Sequence, residues 1–387
     1  MDDPTTIWEV ATAAGGPIFG SAERDDGKVD LTFVARGDHQ GMALQSIFGG
    51  ALQPFLPMER VGDSDVWVRT VQADARVRTT YGFLPDPPQI EMDVSRINEI
   101  IAEMMAYLPR VQHDPLNSRS TTMEMGGVGA FTQSVLEGPQ APEQPYSAIR
   151  PDQPTGKWHE DVIETARFAE PRKVWVRTPP GYDPSRPHAL LVALDGQVWF
   201  QDPTVPVVLD NLVVDGAVTP LVSVLVDSLG MLERMTDLGL SDDFVGFLAD
   251  DLVSWARKHY SISEDAADVL VAGMSMGGLA SAFAGLRRPD VFGCVLPMSP
   301  SLFYPRDDQP DWLVARYAAA EAERLPRRIH LVVGSLEDTL APLTRQLFET
   351  LDRKGVDVTF NEYVGGHDIP CWEGALADGL LRLLPSR

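Results

Sequence analysis

The sequence predicts an α/β protein in two parts, a β-sandwich over residues 1–150 and a mostly parallel sheet covered by helices over residues 151–387. Two observations support this prediction. Before residue 150, polar and apolar residues alternate between turn residues, which is typical of antiparallel strands. After about residue 160, short apolar runs alternate with helical patterns, which indicates parallel strands joined by helices.

The first part begins with three alternating runs that are predicted as strands: 29–34, 65–69 and 75–83. A helix follows, because apolar residues from Ile97 to Leu108 recur at the spacing of one helical face. Pro109 is expected to end this helix. Residues 113–155 are rich in Pro, Gly, Ser, Gln and Thr, and we interpret them as a linker, with order against the face of a domain as the alternative.

The second part contains six apolar runs that are predicted as buried strands: 174–176, 188–194, 221–226, 269–272, 295–296 and 329–333. Helices are predicted around 244–255, 342–354 and 372–384. In sheets of this kind, ligands bind beyond the C-terminal ends of the strands. Functional side chains are therefore expected in the loops that follow these runs.

Composition and charge exclude several classes of protein. The chain has 44% hydrophobic and 23% charged residues, which is ordinary for a globular protein and excludes a disordered, collagen-like or coiled-coil chain. Its 56 acidic and 32 basic residues give a net charge of −24, which disfavours nucleic acid or an anionic membrane as a partner. Two cysteines are too few for a disulfide framework, and the N-terminus lacks the pattern of a signal peptide. We therefore expect a soluble, cytoplasmic protein.

A serine in a tight turn is the first candidate for chemistry. Residues 273–278 read Gly-Met-Ser-Met-Gly-Gly, directly after the predicted strand 269–272 and before a helical run. This is G-x-S-x-G between a strand and a helix, the context in which the turn lifts a serine hydroxyl above the edge of a sheet. Ser275 is predicted as a nucleophile; a purely structural Gly-Ser turn is the alternative.

A serine hydroxyl is a poor nucleophile at neutral pH and needs a base. Among seven histidines, His367 stands in Gly-Gly-His-Asp, after the strand-like run 359–363 and before the last predicted helix. The base of an α/β-hydrolase lies in such a loop. His367 is therefore predicted as the base, with a surface loop histidine as the alternative.

A carboxylate is needed to hold the histidine in one tautomer. Glu337 and Asp338 both follow the predicted strand 329–333, which gives the order serine, acid, histidine of α/β-hydrolases. Glu337 is preferred and Asp338 stays open. The acid that is not used is expected to cap the next helix.

The oxyanion of the reaction needs two backbone N–H groups. Met276, which follows the serine, is predicted to supply one, and Gln197 or else Gly196 the other, after the predicted strand 188–194. The alternative for Asp195-Gly196 is an ordinary turn. The sequence has no Walker loop, no G-x-G-x-x-G opening a helix, no H-E-x-x-H and no cysteine pair, so neither a metal nor an organic cofactor is expected.

Together these residues resemble the enterochelin (enterobactin) esterase family of α/β-hydrolases. The resemblance lies in residues 114–117, 139–143, 194–199, 225–227, 273–278, 292–296 and 365–368 and in Cys371-Trp372. It implies an immunoglobulin-like N-terminal sandwich and a C-terminal α/β-hydrolase domain. It further implies a cytoplasmic serine esterase that cleaves the trilactone of a ferric catecholate siderophore, so that iron enters only as part of the substrate.

The resemblance also implies residues that contact the substrate. Arg234 is expected to pair with the anionic catecholate–iron centre or to stack on a catechol ring; the alternative is an ion pair with Glu233 or Asp237. Four aromatic residues could form walls of the site, although each alone could equally be core: Trp199, Phe303, Tyr304 and Trp372.

Other functions use the same residues. One alternative is a carboxylesterase of the feruloyl or acetyl type, and another is an acyltransferase that resolves the acyl-enzyme with an alcohol. A third is a non-catalytic siderophore or carbohydrate binder, against which an intact Ser275, His367 and Glu337 or Asp338 argues.

Overall fold

The computed structural model describes residues 3–20, 27–50, 53, 55–88, 103, 105–125 and 129–386. The chain divides into two compact units. The first unit consists of Met1–Glu143, Ser335–Asp338 and Val364–Cys371, and the second of Gln144–Gly334, Thr339–Tyr363 and Trp372–Arg387. Each unit is described by itself below.

The first unit begins with a helix, α1 (Pro4–Ala14), whose first turn is capped by the side chain of Asp3. The strands that follow are β1 (Ile18–Phe19), β2 (Lys28–Arg36), β3 (Met42–Ser46), β4 (Phe55–Pro57), β5 (Glu59–Arg60), β6 (Val66–Asp74), β7 (Arg78–Pro85), β8 (Ser120–Met125) and β9 (Gly129–Glu137). Among the described residues they form a four-stranded sheet, β1-β2-β6-β5, and a five-stranded sheet, β4-β3-β7-β9-β8.

Neighbouring strands in both sheets are antiparallel. Leu31 and Phe33 of β2 share a buried core with Leu44 of β3, Tyr81 of β7 and Leu136 of β9. Alternate residues of each strand therefore point into one core between two sheets. This confirms the predicted N-terminal sandwich.

The interpretation of residues 113–155 as a linker is wrong over β8 and β9, which pair as a hairpin of the five-stranded sheet. The polar composition misled the prediction because β8 is an edge strand with exposed side chains. The hydroxyls of Thr122 and Thr132, for example, form a cross-strand hydrogen bond of 2.8 Å on the exposed face. Residues 97–102 and 104 of the predicted helix 97–108 lie outside the described residues. Residues 103 and 105–107 are helical, and a 3₁₀ turn, Leu108–Arg110, follows.

The second unit contains one sheet, which is eight-stranded over the continuous described stretch 129–386, in the order β10-β11-β13-β12-β14-β15-β16-β17. Its strands are β10 (Lys157–Ile163), β11 (Arg172–Thr178), β12 (Ala189–Leu194), β13 (Leu221–Val226), β14 (Val269–Met274), β15 (Cys294–Met298), β16 (Arg328–Gly334) and β17 (Asp357–Tyr363). The pairs β10–β11 and β11–β13 are antiparallel and the remaining pairs are parallel. All six predicted strands are confirmed.

The helices of the second half are α2 (Gly196–Gln201), α3 (Thr204–Val214), α4 (Met231–Leu238), α5 (Asp242–Gly246), α6 (Val253–His259), α7 (Met276–Arg287), α8 (Trp312–Ala319), α9 (Leu340–Arg353) and α10 (Ile369–Leu383). A wider π-helical stretch, Phe247–Leu252, joins α5 to α6. The three predicted helices match α5–α6, α9 and α10.

The parallel strands β12, β14, β16 and β17 end at the same edge of this sheet. The residues that follow them are therefore the ones to inspect for function. Within the described ranges, no helix has the length and apolar character needed to cross a membrane.

Two segments of the C-terminal half belong to the first unit through their contacts. Leu336 and Val364 pack against the core of the sandwich. The backbone N–H of Arg78 in β7 donates to the carbonyl of Val364 at 2.9 Å, and that of Leu336 donates to the carbonyl of Gly365 at 3.1 Å. The loops after β16 and β17 are thus held by the sandwich, although the chain enters both loops from strands of the second unit.

Candidate active site

Ser275 stands at the turn between β14 and α7 with φ 57° and ψ −119°. Residues with a Cβ rarely adopt this backbone conformation, which persists only where the surrounding structure imposes it. The Ser275 N–H donates to the carbonyl of Met298 at 2.9 Å, and the Ser275 carbonyl accepts from the N–H groups of Leu279 and Ser301 at 3.0 and 3.1 Å. The turn is therefore held on both sides, in the geometry expected of a G-x-S-x-G nucleophile.

The glycines around Ser275 are required by close packing. A Cβ on Gly273 would lie 2.3 Å from the carbonyl oxygen of Gly277, and a Cβ on Gly278 would lie 2.8 Å from that of Met298. Both distances are too short for any side chain, so only glycine allows strand and helix to meet in so tight a turn. The spacing in the sequence is a consequence of this packing.

The predicted oxyanion donors lie at two helix starts. Met276 is the first residue of α7, and Gly196 and Gln197 open α2 after Asp195, which has a left-handed backbone (φ 58°, ψ 45°). N–H groups in a first helical turn have no acceptor within their own helix, so they are available to an oxyanion. A Cβ on Gly196 would lie 2.5 Å from the backbone of Leu225, which explains the glycine by close approach to β13. The choice between Gln197 and Gly196 stays a prediction.

The side chain of Asp195 is only 1% exposed and forms an ion pair with Arg234. Nε and Nη2 of Arg234 donate to its two carboxylate oxygens at 2.7 and 2.8 Å, and the Ser228 hydroxyl donates to Oδ1 at 2.7 Å. Burial alone would lower the pKa of Arg234, but the charge and hydrogen bonds of Asp195 raise it. A two-pronged pair of this kind fixes the start of α2.

The expected alternative partners of Arg234 were therefore wrong. Asp237 forms its ion pair with Arg172 instead of Arg234. The hydrogen bonds to Asp195 use two of the three guanidinium nitrogens, and the side chain of Arg234 is 17% exposed. These two hydrogen bonds use two of the five guanidinium N–H groups, so the predicted contact with a catecholate centre stays a prediction. An aspartate directly after an apolar strand marks Asp195 as a candidate buried acid, but its partner is visible only in the tertiary structure.

Two of the predicted aromatic walls are core side chains. Trp199 is 2% exposed and its indole N–H donates to the carbonyl of Leu194 at 3.0 Å. Trp372 is equally buried, and its indole N–H donates to the hydroxyl of Ser299 at 3.1 Å. Their assignment to substrate binding is corrected, because amphipathic indoles in a strand-rich sequence look alike whether they line a cleft or fill a core. Tyr304 is half-buried and Phe303 is exposed, so both stay predictions.

His367 and Glu337 are in direct contact. The Nδ1 atom of His367 lies 2.6 Å from Oε2 of Glu337, whose side chain is almost fully buried. Asp338, the next residue, is exposed. An ionised carboxylate can only accept a hydrogen bond, so this contact favours the neutral tautomer with its proton on Nδ1, in which Nε2 is the atom that can accept a proton. Asp338 also does not cap α9, whose N-cap residue is Thr339.

The next residue after the histidine, Asp368, is buried and was not assigned a role from the sequence. Its Oδ2 accepts a hydrogen bond from the Thr79 hydroxyl at 2.6 Å and one from the Thr80 N–H at 3.0 Å. Burial raises the pKa of Asp368, and these donors offset part of that rise. Nothing in the sequence could have paired Thr79 with Asp368, because 289 residues separate them.

Both parts of the chain match known families. Residues 53–147 match the family model described as "Enterochelin esterase, N-terminal", and residues 165–383 match the one described as "Putative esterase". The iron(III) enterobactin esterase of Escherichia coli K12 is 32% identical over 330 residues, which cover 84% of this chain and 81% of that protein.

Solved structures are similar over the whole length. The ferric enterobactin esterase of Salmonella typhimurium has a TM-score of 0.82 at 28% identity and covers 98% of both chains. The enterobactin esterase of Shigella flexneri, crystallised in the presence of enterobactin, has a TM-score of 0.79 at 29% identity and covers 99% of both chains. The similarity therefore includes both units.

Proposed function

The chain belongs to the enterochelin esterase family and is a carboxylic-ester hydrolase, and from this premise we propose that it hydrolyses the trilactone of a ferric catecholate siderophore such as enterobactin. The observation that supports this substrate is that both units, and not only the second, are similar to enterochelin esterases. A feruloyl-type esterase would be expected to share only the hydrolase part.

In this proposal, the Ser275 hydroxyl attacks a lactone carbonyl while Nε2 of His367 accepts its proton. Glu337 holds Nδ1 of the imidazole and stabilises the imidazolium that forms. The N–H groups of Met276 and of Gln197 or Gly196 stabilise the oxyanion. The support for grouping these residues is topological, because each follows a strand that ends at the same edge of the sheet.

The bond between the acyl carbon and the seryl oxygen of the substrate then breaks, the imidazolium gives its proton to that leaving oxygen, and an acyl-enzyme on Ser275 remains. Water, activated by the same imidazole, attacks the acyl carbonyl and releases the acid. Each cycle converts one ester into an alcohol and a carboxylic acid and opens or shortens the trilactone. We place this reaction in the cytoplasm, where loss of the macrocycle weakens iron binding, and we propose no cofactor other than the iron of the substrate.

The experiment is a digest of enterobactin, iron-free and ferric, by the wild type, by Ser275→Ala and by Ser185→Ala as a control at an exposed loop serine. Mass spectrometry follows the linear trimer, dimer and monomer. The proposal predicts cleavage by the wild type and by Ser185→Ala, and at least about 10³-fold slower cleavage by Ser275→Ala.

The alternatives give different results. If a p-nitrophenyl ester is cleaved in a Ser275-dependent way and the trilactone is not, the serine esterase mechanism is retained and the siderophore is rejected as the substrate. Transfer of the acyl group to an added alcohol in place of water would indicate an acyltransferase. Binding of the ferric siderophore without turnover of either ester would indicate a non-catalytic binder.

A further inference from the structure

The segment that carries His367 is anchored to the sandwich on both sides of the histidine. Before it, Val364 accepts a hydrogen bond from the N–H of Arg78 in β7. After it, Cys371 donates from its thiol to the carbonyl of the same Arg78 at 3.1 Å. All of these residues belong to the first unit. Both ends of the loop are thus hydrogen-bonded to the backbone of one residue of β7, Arg78.

Thr79, the next residue of β7, forms a hydrogen bond with one neighbour of the histidine and lies close to the other. Its hydroxyl donates to the carboxylate of Asp368 at 2.6 Å, and a Cβ on Gly366 would lie 3.1 Å from the same hydroxyl oxygen. That Cβ would also lie 3.0 Å from Ile47, so the backbone of Gly366 packs directly on the sandwich. Thr79 is fully buried, so its hydroxyl is not exposed to bulk water.

The carboxylate of Asp368 is held by neutral donors, the Thr79 hydroxyl and the Thr80 N–H. Loss of a hydrogen-bond donor leaves the charge of a buried carboxylate less compensated, so Asp368 is expected to move if the Thr79 hydroxyl is removed. His367 lies between Gly366 and Asp368, and its imidazole must stay within hydrogen-bond distance of Glu337. A shift of the backbone by a fraction of an ångström would change that distance.

We propose that Thr79 of the sandwich is a positioning residue for the base: it holds Asp368 and Gly366 so that the His367 imidazole keeps its contact with Glu337. The first unit then contributes to the rate of the chemical step, in addition to any contact with the substrate. This inference rests on the proposed function in so far as His367 is the base.

The test compares Thr79→Val, which keeps the volume and removes the hydroxyl, with Thr79→Ser, which keeps the hydroxyl. The control is Thr32→Val, which removes a threonine hydrogen bond to Thr70 in the other sheet of the sandwich. We expect kcat of Thr79→Val to fall about 10- to 100-fold, because small misplacements of a catalytic group have effects of this size. KM is expected to stay within about twofold of wild type, and Thr79→Ser to recover most of kcat.

A second measurement does not require turnover. The proton between Nδ1 of His367 and Glu337 is expected to give a strongly downfield ¹H NMR resonance, assigned by its loss in His367→Gln. The proposal predicts that this resonance shifts or broadens in Thr79→Val and is restored in Thr79→Ser. It should be unchanged in Thr32→Val.

The outcomes separate the two proposals. If the wild type hydrolyses neither ester but the resonance responds to Thr79→Val, the positioning holds and the proposed function fails. The positioning role of Thr79 would be overturned if folded Thr79→Val had the kcat and the resonance of the wild type. It would also be overturned if kcat fell equally in Thr79→Val and Thr79→Ser. If Thr79→Val does not fold, Gly366→Ala takes its place, since its methyl would press on Ile47 and Thr79. A wild-type resonance in folded Gly366→Ala would then overturn the proposal.

Discussion

Asp195 in the second unit and Asp368 in the first are both buried carboxylates next to residues of the proposed active site, but their partners differ. Asp195 accepts two hydrogen bonds from the guanidinium of Arg234, whereas the two donors to Asp368 described above are neutral. A buried charge with a cation is compensated within the protein, while one held by neutral donors is compensated in part. Accordingly, burial raises the pKa of Asp368.

The two regions are held by different kinds of contact. The start of α2, with the predicted oxyanion donors, depends on an ion pair within the second unit. The loop of His367 depends on weaker, neutral contacts with the sandwich. We therefore expect substitutions at the Asp195–Arg234 pair to affect stability most. Substitutions around His367 are expected to affect activity or the pH dependence of stability.

The largest expected effect concerns the carboxylate that contacts His367. Glu337→Gln should lower kcat about 10³- to 10⁴-fold with little change in stability, because an amide can donate to Nδ1 and favour the wrong tautomer. Asp338→Asn is the matched control, since Asp338 is the adjacent, exposed acid. Steady-state kinetics on a p-nitrophenyl ester measure both. If kcat fell severely in Asp338→Asn and stayed near normal in Glu337→Gln, Asp338 would be the acid and the assignment of Glu337 would be wrong.

A smaller effect is expected when the cation that pairs with Asp195 is removed. Arg234→Met should lower the free energy of unfolding by about 3–5 kcal/mol, because it leaves the charge of Asp195 buried without its partner. Urea denaturation measures the change. Arg186→Met, at an arginine whose side chain is 83% exposed, should change it by less than about 1 kcal/mol.

The double variant Asp195→Asn/Arg234→Met tests the cause of that loss. It should be more stable than Arg234→Met alone, because no unpaired charge stays buried. Equal stability of the single and double variants would show that the loss comes from packing of the Arg234 side chain and not from the charge of Asp195.

The smallest expected effect concerns the pH dependence of stability at Asp368. Because burial raises its pKa in the folded state, the protonated form contributes stability that is fully present below the ordinary pKa of 3.8 and is lost as pH rises through the raised value. Relative to Asp368→Asn, the wild type should therefore lose unfolding free energy with rising pH across that window, by at most about 1.4 kcal/mol per pH unit. Urea denaturation of both proteins at a series of pH values measures the difference. A difference that stays constant would mean that the pKa is the same in the folded and unfolded states.

Local patterns in the sequence were sufficient for much of the fold. The six apolar runs became strands because a strand buried on both faces needs a continuous apolar segment, which is visible without knowledge of its neighbours. The hairpin β8–β9 was missed because an edge strand with one exposed face can be built from Thr, Ser and Gln, which also occur in linkers.

The serine turn and the buried strands of the second part could be predicted from the sequence, because each depends on residues close together in the chain. That Glu337 contacts His367 while the adjacent Asp338 is exposed is visible only in the tertiary structure, since neighbouring side chains point in different directions. It alone paired Asp195 with Arg234, buried Trp199 and Trp372, and brought Thr79 to Asp368. These contacts join residues that are distant in the chain, and their geometry comes from the packing of whole sheets and not from any local pattern.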